Sequence, residues 1–145
     1  MYSMLSVKNF CVVALILAIL SGIFWWWQNQ KKLELSQYKD LIFLTQPIAG
    51  DIVSSPVLIE GKARGTWFFE ASFPIVVVDW DGLIIGQGIA QAQSEWMTTD
   101  YVPFRAEIIF TKPTVKNNGW IILRKDNPSG LSQYDDAFEM PIFFR

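Results

Sequence analysis

Asp79 and Asp81 stand two apart around Trp80, with Gly82 directly after them. In an extended strand that spacing turns both carboxylates to one side, an arrangement that could hold a hard cation while glycine permits a tight turn around it. Leu83, Ile84 and Ile85 come next and supply no oxygen ligand, so the plainer reading is favoured: Asp81 opens a hairpin turn and Asp79 is a polar strand end. A second acidic group, Asp135, Asp136 and Glu139, follows the loop Asp126-Asn127-Pro128-Ser129-Gly130. It makes a cation site only if the two segments meet in space. Otherwise its charges are solvated and keep the last strand from pairing with a neighbour.

The chain has no histidine, and its one cysteine is Cys11. Ser-His and Cys-His nucleophiles and His-containing zinc sites are thereby excluded. A protein without catalytic residues, cofactor or metal is expected.

The aromatic residues carry more information. Trp67, Phe68 and Phe69 are consecutive and cannot all face one core in an extended chain; Trp80, Trp96 and Trp120 add three large rings. One tryptophan is expected to be buried between two sheets, with Trp80 fitting by its place on the third strand and Trp120 as its rival. Trp96 stands in the polar connection Ser94-Glu95-Trp96-Met97-Thr98-Thr99-Asp100-Tyr101. There it either joins Met97 and Tyr101 in an exposed sticky patch or belongs to a loop folded back over the edge of the sheets. Trp96, Tyr101 and Trp67 are therefore the candidate ligand-binding residues, with stacking on sugar faces as one use of their rings.

These side chains need a scaffold, and the chain begins with a different kind of segment. Residues 10–27, FCVVALILAILSGIFWWW, carry no charge and nothing more polar than Ser21. As a helix they reach roughly 27 Å, close to the hydrocarbon thickness of a bilayer. Trp25, Trp26 and Trp27 then fall where amphipathic rings prefer the water interface, just before Lys31 and Lys32. A transmembrane helix over 10–27 is expected, after a short tail over 1–9 and before a polar stalk over 28–40. A cleaved secretory signal is the competing reading. It is disfavoured because no small-x-small site follows in register and the apolar run continues past Ser21 and Gly22. Cys11 opens the apolar run with Lys8 just before it, so it reads as a buried inert thiol rather than a lipoprotein anchor. Lys8 on one side and Lys31 and Lys32 on the other leave orientation open to charge counting.

From Leu41 to Arg145 the chain has 105 residues, enough for one domain with one core. Its eight basic and twelve acidic residues leave a net charge of −4, a poor surface for nucleic acid. Short runs of β-branched and aromatic residues, separated by Gly, Pro, Asn, Asp and Ser, predict seven strands: near Leu41 to Thr45, Val57 to Arg64, Ile75 to Trp80, Leu83 to Gln91, Val102 to Phe110, Trp120 to Lys125 and Met140 to Phe144. Asp81-Gly82 reads as a two-residue type I′ hairpin turn. The run Ile75 to Trp80 is too apolar to leave either of its faces fully wet. Val57, Ile59, Val76, Val78, Phe104, Ile108, Ile121 and Leu123 are the expected core. The outline is an immunoglobulin-like antiparallel β-sandwich of about seven strands over 41–145.

Val53-Ser-Ser-Pro56-Val57, Ile59-Glu-Gly61-Lys-Ala63, Phe69-Glu70-Ala71-Ser72 and Val78-Asp79-Trp80-Asp81-Gly82 together resemble the immunoglobulin-like domain associated with bacterial spore-germination proteins. Phe104 opening a strand, Asn127-Pro128-Ser129-Gly130 and the apolar last strand after Pro141 agree with it. The resemblance implies a bacterial, extracytoplasmic β-sandwich with a binding or interaction role, found in lipoproteins and membrane-anchored proteins. It brings no catalytic residues. In spore formers such a domain often accompanies a separate germination and sporulation domain, for which these residues leave no room. The expected protein is thus a single-pass membrane protein presenting an Ig-like binding or scaffolding module outside the cytoplasm. Its expected partners are the lipid bilayer and envelope proteins or wall glycan. A carboxylate-dependent hydrolase is the remote alternative.

Overall fold

The structure, a computed structural model, describes residues 12–26 and 40–145. They fall into two separate units divided between Gln37 and Tyr38.

In the first unit, residues 12–26 form an α-helix whose side chains are all exposed. The Ser21 hydroxyl donates to the Ala18 carbonyl at 2.9 Å, so the one polar side chain is satisfied within the helix. Among the described residues no helix is long and apolar enough to cross a membrane. Fifteen residues rise only about 22 Å, against roughly 30 Å of hydrocarbon. The expected span over 10–27 is therefore not shown. Phe10, Cys11, Trp27, the tail 1–9 and the stalk residues 28–39 lie outside the described residues.

The second unit is all β. Its strands are β1 (Ile42–Gln46), β2 (Ile52–Val53), β3 (Val57–Arg64), β4 (Ser72–Asp79), β5 (Ile84–Ala92), β6 (Tyr101–Ile108), β7 (Asn118–Arg124) and β8 (Ala137–Phe144), with 3-10 turns at Gly65–Trp67 and Ser132–Tyr134. The seven expected strands are present within a few residues. An eighth, β2, is too short to leave a periodicity in the sequence.

All eight strands form one sheet in the order β1-β3-β6-β5-β4-β7-β8-β2, rather than two separate sheets. Flat, it would be about 34 Å wide at the usual strand spacing. Yet its edge strands β1 and β2 are joined by only the five residues 47–51, a reach of about 20 Å. The sheet must curl until its edges approach. The bend falls at the β5–β6 seam, where ladder pairing is limited to Gln91 with Arg105 and Ala92 with Phe104, plus a bridge from Gly86 to Phe110.

The curl creates one interior. Ile42, Ile59, Val102, Phe104 and Ile108 enter it from one half of the sheet; Phe73, Ile75, Val77, Ile121, Leu123 and Ile142 enter from the other. Phe73 meets Phe104 edge-on at 4.9 Å, Phe68 at 5.1 Å and Trp67 at 6.5 Å. Gly61 leaves room for the Phe104 ring, since a Cβ there would stand 2.2 Å from the Phe43 carbonyl oxygen and 2.9 Å from Phe104 Cζ.

One expectation about the core is corrected and another is met in part. The interior tryptophan is Trp67, at 1% exposure, whereas Trp80 and Trp120 are only half-buried. Val76 and Val78 are buried but stand outside the interior cluster, whose members on β4 are Phe73, Ile75 and Val77. Alternation along β4 allows only one parity to face inward.

The type I′ turn is also displaced. Between Asp79 and Leu83 the loop is Trp80-Asp81-Gly82, with Gly82 at φ +83° and no positive φ at Asp81. The Gly82 N–H donates to the Asp79 carbonyl at 3.1 Å, closing a turn that glycine then exits. The two-residue turn with both central residues at positive φ is Glu70 (φ 49°) and Ala71 (φ 63°), closed by reciprocal Phe69 and Ser72 backbone bonds of 3.0 Å. Left-handed backbone costs an L-residue roughly 1–2 kcal/mol. Replacing Glu70-Ala71 by Asn-Gly should therefore raise unfolding stability by about 1 kcal/mol, read from denaturant midpoints; an unchanged or lower midpoint would show that the turn is unstrained. Trp67→Ala should cost about 3–5 kcal/mol in the same measurement.

Candidate interaction surface

The 93–100 connection between β5 and β6 turns back over the 3-10 turn at Gly65–Trp67. The Gly65 N–H donates to the Asp100 carbonyl at 3.1 Å, and a Cβ on Gly65 would lie 1.9 Å from the Thr98 carbonyl oxygen. Only glycine permits that approach. The connection also satisfies three of its own amides: Met97 N–H bonds Glu95 Oε1 at 3.1 Å, Thr98 N–H bonds the Trp96 carbonyl at 2.8 Å, and Asp100 N–H bonds Thr98 Oγ1 at 3.1 Å.

Of the three candidate ligand residues, Trp96 and Tyr101 come to this end of the domain. Trp96 is half-buried and packs on the core, so the folded-back loop and the exposed patch are both present in one segment. Its neighbour Met97 is 74% exposed. With Gly65, Thr66, Phe68 and Thr98, Trp96 and Met97 line an open hollow of about 620 Å³. Trp67 does not join them. Its ring is interior and its Nε1 has no hydrogen-bond partner among the described residues, so it cannot stack on a ligand here.

Arg64 is the residue that sequence reading missed. It donates from Nε to the Asp40 carbonyl at 3.0 Å and from Nη1 to the Thr99 carbonyl at 3.3 Å, and its guanidinium lies 4.0 Å from the centre of the Tyr101 ring. The β3–β6 register sets Arg64 opposite Tyr101. Their separation of 37 positions along the chain gave no local signal of that contact.

Asp79 and Asp81 have separate roles. One Asp79 carboxylate oxygen accepts from the backbone N–H of Asp81 and of Leu83, both at 2.9 Å, so it fastens the hairpin from within, while Asp81 is exposed. The two acidic segments of the last loop do meet, around a hollow of about 480 Å³ that includes Asp126, Asp135 and Asp136. Two of these carboxylates have partners: Asn127 Nδ2 donates to Asp135 at 2.7 Å, and the Ala137 N–H to Asp136 at 2.9 Å. Among the described residues no group of three or more acidic or sulfur ligands is placed for a metal ion.

A second surface was only half legible. Pairing puts Val76 beside Ile122 and Gln87, and Val78 beside Trp120 and Ile84, all on the outward side of the sheet. Trp120 in turn pairs with Pro141 on β8. Their surroundings hold exposed Ile84 and Ile89, and Lys116 Nζ lies 4.0 Å from the Trp80 ring centre at its margin. The middle of this outer face is apolar, with Gln87 beside Val76 and Glu139 beside Ile122 at its flanks. By contrast the outer face of β3 and β6 is charged, with a Glu60–Arg105 ion pair and Gln46 Nε2 donating to Glu60 at 2.9 Å.

These roles predict unequal costs. Asp79→Ala should lose roughly 1–3 kcal/mol of stability because it leaves two turn amides without their acceptor, whereas Asp81→Ala should stay within about 0.5 kcal/mol. Equal effects in urea unfolding would refute that division. Trp96→Ala should lower the midpoint as well, since half of its ring packs on the core.

No curated protein and no solved structure matches the chain. The sequence profile of one family, described as the immunoglobulin-like domain of bacterial spore germination, matches residues 41–132. That stretch holds β1 through β7 and the Gly65 and Asp79 turns, and it covers more than half of the sequence, so the chain belongs to the spore-germination immunoglobulin-like family, Gmad2.

Proposed function

We propose that this protein is a non-catalytic binding or scaffolding module of the bacterial cell envelope, held at a membrane by its N-terminal segment with the β domain outside the cytoplasm. The observation that carries the binding role is the outward face of β4 and β7. Exposed Ile84 and Ile89 with half-buried Trp120 and Ile122, seated over buried Val76 and Val78, make an apolar surface on a sheet whose other half is charged on its outside. A face of that kind is suited to a protein partner. Membership of an immunoglobulin-like family agrees with a binding role.

The membrane part rests on the uncharged run 10–27, its terminal tryptophans and the internal satisfaction of Ser21. Wall glycan remains the alternative ligand. It is less well supported, because burial of Trp67 removes one of the three rings proposed to stack on sugars.

Protease added to intact spheroplasts should digest the β domain, and protection until lysis would place it in the cytoplasm instead. For the binding role, a photo-crosslinking residue at Ile122 should yield adducts in native membranes, while one at Glu107 on the charged outer face should not. Equal yields from the two positions would count against the apolar face as the partner site.

A further inference from the structure

We propose that the 93–101 connection is the surface by which the β domain rests on a lipid bilayer with zwitterionic headgroups, an inference that rests on the membrane-anchored reading above. The first observation is where the preceding chain arrives. Arg64 binds the Asp40 carbonyl at 3.0 Å and the Thr99 carbonyl at 3.3 Å, so the chain from the N-terminal segment enters the domain beside this connection. Only the thirteen residues 27–39 separate Trp26 from Asp40. Fully extended they reach no more than about 50 Å. A tether of that length would keep the domain at a millimolar effective concentration beside the bilayer in which the N-terminal segment is proposed to sit, so a weak contact is enough.

The second observation is the composition and hydrogen bonding of the tip. Met97 is 74% exposed between half-buried Trp96 and exposed Tyr101, and Trp and Tyr rings favour the headgroup region. The Met97, Thr98 and Asp100 amides are bonded within the connection, so three of its donors need no water where the tip meets the headgroups.

Charge selects the lipid. Glu95 and Asp100 flank the tip and Arg64 stands behind it. Two carboxylates against one guanidinium oppose a surface of net negative charge. They suit a headgroup that carries both an amine and a phosphate.

The test uses the full chain with Cys11→Ser, reconstituted in vesicles of phosphatidylethanolamine and phosphatidylcholine. An environment-sensitive fluorophore is attached at Thr99→Cys or, in a second preparation, at Leu83→Cys. Leu83 is in the β4–β5 hairpin, at the opposite end of these strands, and is itself 66% exposed. The chain should float with the vesicles, and a quencher placed in the lipid headgroup should quench position 99 at least twofold more than position 83. Met97→Asp or replacement of the lipid by phosphatidylglycerol should bring position 99 down to the level of position 83 without loss of flotation. A floating chain with equal quenching at both positions would overturn the docking and leave the anchor standing. Failure to float would overturn the anchor and the docking with it. A blue shift at position 99 that appears without vesicles and grows with protein concentration would assign the tip to a second copy of the chain instead.

Discussion

The edge-on contact of Phe73 with Phe104 is where the two halves of the curled sheet meet across the core. Phe73 comes from β4 and Phe104 from β6, strands separated in the sheet order by β5. The small, buried Ala90 of β5, paired with Phe73, leaves room for the two rings to meet inside the curl. Trp67 and Phe68 complete the group from the 3-10 turn after β3, and Gly61 removes the one Cβ that would obstruct Phe104. Aromatic pairs of this geometry add roughly 0.5–1.5 kcal/mol each beyond the area they bury. Their larger effect is positional, because the strand ends that carry the 93–100 connection and Arg64 start from this cluster.

Burial of Trp67 also explains why the connection folds back. The 3-10 turn that drives this ring inward sets Gly65 against the connection, and its bare Cα lets the Trp96 and Thr98 carbonyls close over and bury it. A single substitution at Gly65 would thus affect both core and surface, since the loop could not keep its place. Trp96 follows from the same geometry. Its ring is drawn partly onto the core, while Met97 remains outside.

Functionally, the domain separates its surfaces. One end holds the aromatic connection next to the incoming chain, one broad face is apolar along β4 and β7, and the opposite broad face is charged along β3 and β6. A domain resting on its connection would leave the apolar face turned sideways and accessible to another protein. The two turn carboxylate systems, at Asp79 and at Asp135 with Asn127, are spent on holding loops in shape.

The all-β class, seven of the strand positions and the apolar excess of Ile75 to Trp80 were legible in the sequence, because alternation and turn residues are local properties. The family was legible too, through short motifs that each lie within one strand or turn. Several features depended on tertiary structure. Two-residue β2 has no period of its own and exists only because β8 offers it an edge. The positive φ of Glu70 and Ala71 is imposed by the strands they join and runs against local preference. Which parity of β4 faces inward, and therefore whether Val76 is core or outer surface, depends on what packs against each side. The choice of Trp67 over Trp80 as the interior ring is of the same kind. Consecutive aromatic residues carry no mark of which one a 3-10 turn will aim at the core, and only the closing of the curled sheet around Phe73 decides it.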